Sequence, residues 1–244
     1  MTLDFEQSLQ WWLSPLSSAS THHLDIWIVW HARLMVFAWA ILLPVGAIAA
    51  RYYKVTPKQD WPHVVDNRAW WHAHRILQYG GVALMLIGGV LAWNKGSGST
   101  YTALIHAYLG WSVITLGVVQ VIGAWLRGSK GGPTDAQLRG DHYDMTPHRL
   151  RFEAIHKTCG WLALVLAVLT VVLGLVAADA PRWMAGVLVV WWAALVILGV
   201  RLEREGRCID TYQAIWGTDP SHPGNQRPKI AWAMRRPHNE QERS

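Results

Sequence analysis

Charge is scarce in this chain. Asp, Glu, Lys and Arg make up 16% of its 244 residues, where a soluble domain averages about a quarter. Cysteine is scarcer still, with Cys159 and Cys208 alone and neither in a CxxC or CxxCH pattern. That spacing excludes a cysteine-built metal centre and covalent attachment of a macrocycle, and neither thiol is assigned a role. Lys and Arg are absent from the first 23 residues, so the basic start of a cleavable signal segment is missing. In their place stand apolar side chains, 52% of the sequence, and 17 tryptophans.

Five stretches have the length of about 20 apolar residues that a bilayer crossing needs: 24–50, 70–93, 101–126, 153–177 and 182–202. An aromatic-rich soluble helical core would not account for that shared length. Many tryptophans fall where these runs end, which suits rings that are part apolar and part hydrogen-bonding at headgroup depth. The first run is interrupted by Pro44 within LLPVGA, which a membrane helix tolerates when a neighbour satisfies the freed carbonyl. The fifth, over 183–200, holds no ionisable residue and reads as a structural helix. Before the first run, segment 1–23 carries an apolar patch of Leu9, Trp11, Trp12, Leu13 and Leu16. It suits a short helix lying in the interface or packed on the first span. After the last run, 203–244 is a polar tail with Pro220, Pro223, Pro228 and Pro237, expected to be extended or ordered only against a partner. The domain organisation is therefore segment 1–23, a transmembrane domain 24–202 and the tail 203–244.

Five spans put the termini on opposite sides. The N-terminal side carries only Arg33, Lys95 and Arg182 of the 22 basic residues. The other side holds Arg51, Lys54, Lys58, Arg68, Arg127, Lys130, Arg139, Arg149, Arg151 and the basic tail. Positive loops stay inside, so the N-terminus is expected outside and the C-terminus in the cytoplasm, as in a bacterial inner membrane. The net charge of +6 then reads as topology and contact with anionic lipid rather than nucleic-acid binding.

Four of the 12 histidines, His31, His74, His106 and His156, each stand near the start of one of the first four runs. An ionisable group inside a span is costly and marks a functional site by default. Alternating helix direction puts His31 and His106 near the outer face and His74 and His156 near the inner one. Each lies roughly 5–10 Å into its helix at ~1.5 Å per residue. A ~30 Å core then leaves the two levels roughly 15–20 Å apart. Paired neutral imidazoles are what a closed six-coordinate heme needs, a site that favours electron transfer over oxygen binding. The fold class expected is thus an all-α membrane protein of five transmembrane helices, the first four forming a di-heme antiparallel bundle with two non-covalent b hemes. Gly110 and Gly160 follow His106 and His156 by four residues, on the ligand's own helix face, where a missing side chain gives a macrocycle room. A histidine near a helix end also snorkels or bonds a carbonyl, but four at matched depths on successive helices favour ligation. His22, His23, His63, His142, His148, His222 and His238 fall in loops or the tail, where solvated histidines are the default. His72 competes with His74, yet two residues turn ~200° on a helix, and His74 lies deeper. Arg33, Arg75, Arg149 and Arg151 lie near the heme depths and suit propionates or an anionic substrate. Arg75, next to a ligand, is the leading one.

The segments HARLMVFAWAILLPVGAIAARYYK, HAHRILQYGGVALMLIGGVLA, HAYLGWSVITLGVVQVIGA and EAIHKTCGWLALVLAVLTVVLGL resemble the four heme helices of the eukaryotic-type cytochrome b561 family. The likeness is to the b561 domains fused to DOMON modules and covers about 26–200. It implies two b hemes per chain, with His31 paired to His106 and His74 to His156, and electron transfer from ascorbate or another donor to an acceptor on the opposite face. It also implies homodimers. The fourth helix reads HK, at His156 and Lys157, where HR is usual. No DOMON module is present, so a donor of that kind is expected on a separate chain, and a quinone or a redox partner subunit competes with ascorbate. Three functions follow from these residues. The first is a di-heme transmembrane electron carrier, its oxidoreductase activity linked to ferric iron, ascorbate or quinone. The second is a heme-bearing anchor subunit of a larger oxidoreductase complex exchanging electrons with quinone. The third is a transporter or metalloenzyme using the same histidines for a metal.

Overall fold

The computed structural model describes residues 4–17, 24–93, 100–127 and 146–236. His22, His23, His142, His238 and residues 128–145 of the polar loop lie outside the described residues. The helices are α1 (Phe5–Leu13), α2 (Ile26–Val36), a π-helical stretch (Phe37–Leu42), α3 (Leu43–Tyr52), α4 (Ala69–Trp93), α5 (Tyr101–Trp125), α6 (Pro147–Ala177), α7 (Arg182–Arg204), α8 (Thr211–Trp216) and α9 (Pro223–Gln226). Among the described residues there is no strand, only two isolated bridges, Pro15 with Pro181 and Ile209 with Arg235. The chain is an all-α membrane protein. Five helices are long and apolar enough to span: Ile26–Tyr52, Ala69–Trp93, Tyr101–Trp125, Pro147–Ala177 and Arg182–Arg204. Four match the expected runs to within two residues. The fourth starts six residues early, because Thr146 and Pro147 make a start signal ahead of the apolar run. The Thr146 hydroxyl accepts from the Arg149 N–H at 3.3 Å, and proline at the first helical position gives up an N–H with no partner to lose.

The chain divides into two compact units, each drawing on all five spans. The first comprises 1–43, 80–117 and 163–197. Its core is small side chains around a few large ones: Ala38, Trp39, Ala40, Leu43, Met85, Val113, Ala163 and Ala167 are buried. Lipid is as apolar as the core, so close backbone approach rather than hydrophobicity holds such helices together. A Cβ at Gly117 would lie 3.0 Å from Met85 Sδ, and one at Gly81 would lie 2.7 Å from Leu43. Pro44 has no N–H to offer Ala40, and the chain passes through the π-helical stretch just before it. The orphaned Ala40 carbonyl accepts instead from Trp191 Nε1 of α7 at 2.6 Å. In the same unit α1 presents Phe5, Leu9, Trp11, Trp12 and Leu13 to the outside. It is tied at its end by Leu16 N–H to Ala180 O (3.0 Å) and Arg182 N–H to Ser14 O (3.1 Å).

The second unit comprises 44–79, 118–162 and 198–244. Here the tail is not extended. Through Arg236 it folds against the ends of α3, α6 and α7, and Cys208, Asp210, Tyr212 and Gln213 are among the most buried side chains of the chain. Polar pairing does this. Arg51 pairs with Glu203, and its guanidinium lies 3.9 Å from the Trp232 ring centroid. Tyr212 donates to Glu153 Oε1 at 3.0 Å, Arg236 meets Asp210 at 3.0 Å, and Lys54 Nζ donates to the Ile209 carbonyl at 2.9 Å. Burial pushes the Cys208 thiol and the Tyr212 phenol up, so Tyr212 keeps the proton it donates.

Two expectations follow. Trp191→Phe strands a carbonyl in the apolar interior and costs about 1 kcal/mol, read as a lower unfolding temperature in detergent. In a Pro44→Ala background the cost shrinks, because the restored N–H competes for the same oxygen. Lys54 is 4% exposed, and burial, aided by Lys157, lowers it from 10.5 to about 8. The unfolded chain therefore binds more protons between those values, and stability rises as pH climbs through that window. The full penalty, about 3 kcal/mol, stands below it. Lys54→Met should raise the unfolding temperature at neutral pH and flatten its alkaline rise in melts recorded across the window.

Candidate functional site

His31 lies on α2 and His106 on α5, both in the first unit. Their rings stand 6.1 Å apart, centroid to centroid, with planes at 86°. His74 on α4 and His156 on α6, in the second unit, stand 6.4 Å apart at 80°. So the structure brings together four of the sequence-selected histidines as two facing pairs.

Three of the four rings are held by one device. The Nδ1 of His31 bonds the Gly88 carbonyl at 2.8 Å, that of His74 the Gly46 carbonyl at 3.0 Å, and that of His106 the Thr170 carbonyl at 2.9 Å. A carbonyl only accepts, so each Nδ1 carries the proton and each Nε2 keeps its lone pair. This is how metal-binding imidazoles are oriented from behind. Glycine opens the approach each time. Gly46 and Gly88 are themselves the acceptors, and at Gly174, one turn past Thr170, a Cβ would lie 2.8 Å from His106 Cε1. His156 differs. Its Nδ1 is buried with no hydrogen-bond partner, and its ring leans on Phe152 at 5.2 Å and 31°. Its carbonyl accepts from Gln120 Nε2 at 2.8 Å.

Two imidazoles bound to opposite sides of one metal at about 2 Å place their centroids about 6 Å apart. Both pairs meet that spacing. Among the described residues no group of three His, Cys, Asp or Glu side chains converges to hold a metal ion. A facing pair of imidazoles would suit a heme, which brings its own nitrogen donors to the iron, whereas zinc takes three or four protein ligands. A Cβ at Gly110 would meet only Thr170 Cγ2 at 3.8 Å, and one at Gly160 would meet Gln120 Nε2 at 3.3 Å. Beside His156 a cavity of about 350 Å³ is lined by Val119, Gln120, His148, Arg151, Phe152 and Cys159, among others. The residues fit the group.

Of the four arginines, Arg33, Arg75 and Arg151 are exposed. Arg33 lies over Trp30 at 5.3 Å, and Arg75 lies between Trp71 and Tyr79 at 5.8 and 5.6 Å. Arg149 is buried. His72 is exposed, as the helix turn requires. His63 is exposed beside Asp60, and His148 donates to the Leu126 carbonyl at 2.7 Å. His222 is not a solvated tail histidine: it stacks on Trp216 at 4.9 Å. Sequence reasoning missed Glu153, 5% exposed, which takes Arg149 and Lys157 each at 3.2 Å. The i, i+4 spacing of all three residues was the available signal. It also missed the carbonyl acceptors, which as backbone have no signal of their own.

No family model matches this chain, and no solved structure matches it. Curated proteins do. A cytochrome b561, DM13 and DOMON domain-containing protein of Arabidopsis thaliana is 30% identical over 145 residues, 59% of this chain and 14% of that protein. Ferric-chelate reductase 1 of Homo sapiens is 29% identical over 162 residues, 66% of this chain and 24% of the reductase. A cytochrome b561 and DOMON domain-containing protein of Arabidopsis thaliana is 26% identical over 175 residues, 69% of this chain and 37% of that one. The chain thus spans between 14% and 37% of the length of these relatives. They support a eukaryotic-type cytochrome b561 family for the chain and, with the five apolar helices, an integral membrane protein of electron transport. They come from plants and mammals and lend a bacterial inner membrane no support.

Proposed function

We propose, on the premise of a cytochrome b561 chain, that the protein carries electrons across its membrane through two b hemes, one held by His31 and His106 and the other by His74 and His156. The observation that carries this reading is the pair of ring separations, 6.1 and 6.4 Å. When bound, each heme supplies one-electron chemistry at its iron. The chain's own part is to orient and exclude. The carbonyls of Gly88, Gly46 and Thr170 fix three rings in one tautomer. Two histidines per site would hold a heme as a closed site that favours electron transfer over oxygen binding. Donor and acceptor meet opposite faces. A ferric chelate is one acceptor class that the name of the human relative supports, and a quinone or a redox partner protein is another. A homodimer is the assembly that the family supports.

The region 24–202 does the carrying, segment 1–23 lies at the outer interface, and 203–244 faces the cytoplasm. Loop charge supports that orientation. Cysteine-accessibility labelling in sealed vesicles checks it: single cysteines placed at Ser8 and Ser221, in a background whose own cysteines are removed, should label from opposite sides. Labelling of both from one side sinks the five-span topology.

The function is tested by a pyridine hemochrome count with a reduced-minus-oxidised spectrum of the detergent-purified protein. Two hemes per chain are expected. His106→Ala should lose the first and His74→Ala the second, and retention of both hemes in either variant refutes the pairing.

A further inference from the structure

Gln120 is the one carboxamide of α5, and a polar group inside a span is costly and marks a functional site by default. The other three histidines show where it stands. His106 on α5 bonds Thr170 on α6. Fourteen residues further along α5 is Gln120, and fourteen back along α6 is His156. The two helices run antiparallel, so equal steps keep the register, and Gln120 faces His156 as Thr170 faces His106. The first helix pair repeats the pattern. Fourteen residues separate His74 from Gly88, and fifteen separate His31 from Gly46. The extra residue falls where the π-helical stretch Phe37–Leu42 intervenes, since a π turn takes in an added residue. Gly88, Gly46 and Thr170 each accept from the Nδ1 of the histidine opposite. Gln120 is their positional counterpart for His156.

At that fourth position the bond is made differently. Gly46 and Gly88 have no side chain, and the Thr170 hydroxyl turns back to the Leu166 carbonyl of its own helix at 2.7 Å. In those three places the ring meets the peptide oxygen directly. Gln120 instead puts a side chain into the gap. Its Nε2 donates to the His156 carbonyl at 2.8 Å, and the His156 Nδ1 is buried with no hydrogen-bond partner. Gly160, one turn past His156, keeps the place of the amide open, for a Cβ there would lie 3.3 Å from Gln120 Nε2. Amide and ring both line the cavity of about 350 Å³, which gives the amide room to turn. A carboxamide carries an acceptor beside its donor, and a buried N–H left without an acceptor is disfavoured.

We propose that Gln120 is the positioning residue of His156: its Oε1 accepts from the Nδ1–H and so presents Nε2 to the heme, as a peptide oxygen does for the other three rings. The inference rests on the heme reading and deepens it. Three rings have an acceptor that no side-chain substitution removes, whereas the fourth has one carried by a side chain. An acceptor on the far nitrogen makes an imidazole a stronger donor to the metal, which favours oxidised iron and lowers the potential. Gln120 is thus the position at which the sequence sets the potential of the His74–His156 site.

The test is spectroelectrochemical titration of the detergent-purified protein with its heme count. Gln120→Met keeps the length of the side chain and removes the acceptor. It should retain two hemes and raise one midpoint potential by about 59 mV, about a tenfold stronger reduction equilibrium for one electron. The potential that moves should be the one missing from His74→Ala, and the other should stay in place. Gln120→Glu keeps an acceptor and should hold that potential at or below the wild-type value. Ser112→Ala, which removes an exposed hydroxyl of the same helix, should move neither. Loss of the His74–His156 heme in Gln120→Met, with its retention in Gln120→Glu, supports the proposal equally. Unchanged potentials in Gln120→Met, equal upward shifts in both Gln120 variants, or loss of the same heme from both overturn the proposal and leave the heme reading intact. A wild-type chain that binds no heme overturns both.

Discussion

An imidazole in an apolar helix bundle is fixed in one orientation when its N–H has an acceptor, and for three of these rings that acceptor is the main chain. His31, His74 and His106 each reach a helical carbonyl. Carbonyls inside a helix are already engaged by the helix's own N–H groups, so each of these oxygens serves as a second-time acceptor through its remaining lone pair. Such a bond demands that the ring come close to backbone, which is why the facing residues are Gly46, Gly88 and, one turn from Thr170, Gly174. The tautomer of these three rings and the direction of each free Nε2 hang on those contacts. His156, held by stacking on Phe152 rather than by an acceptor, is the exception among the four.

Much of this was legible in the sequence because a bilayer imposes a length. The apolar runs marked the spans, and the alternation of helix direction named which histidines share a level. The early start of α6 was not legible from hydropathy: Arg149, Arg151 and Glu153 interrupt the apolar run, and the helix continues through them because Thr146 caps it. The tail misled for a related reason. Its prolines and charges have the composition of a solvated segment. Its burial comes from partners about 150 residues away, Arg51 for Glu203 and Lys54 for the Ile209 carbonyl, and no local pattern reports such pairing. Gly110 and Gly160 were found because they sit on the ligand's own helix. Gly174 was missed because it sits on the helix opposite, where spacing from the histidine says nothing.

The tail also shows how charge is handled where a membrane protein meets water. Arg51 is enclosed by Glu203, Tyr52, Trp161 and Trp232, a mixture of one carboxylate and three aromatic rings. Tryptophan here is not only a lipid-interface residue: it serves as a second kind of counter-charge, through the negative face of its ring. Trp216 stacked between Tyr212 and His222 and Trp61 donating to the Gln213 carbonyl at 3.2 Å show tryptophan used in ring packing and as a hydrogen-bond donor as well. The abundance of this residue reflects packing inside the second unit as well as anchoring at its edge.

Trp191 and Ala40 are 151 residues apart in sequence. A ribosome releases the first span, with its proline-freed carbonyl, long before the helix that supplies the donor exists. Until α7 arrives, that oxygen must be served by water, lipid headgroup or a provisional neighbour. The last span, which contributes no histidine, is therefore the one that closes the first: it converts a helix with a standing defect into a finished element. A chain truncated before α7 would keep all four proposed ligands and still carry a first helix that had never been completed.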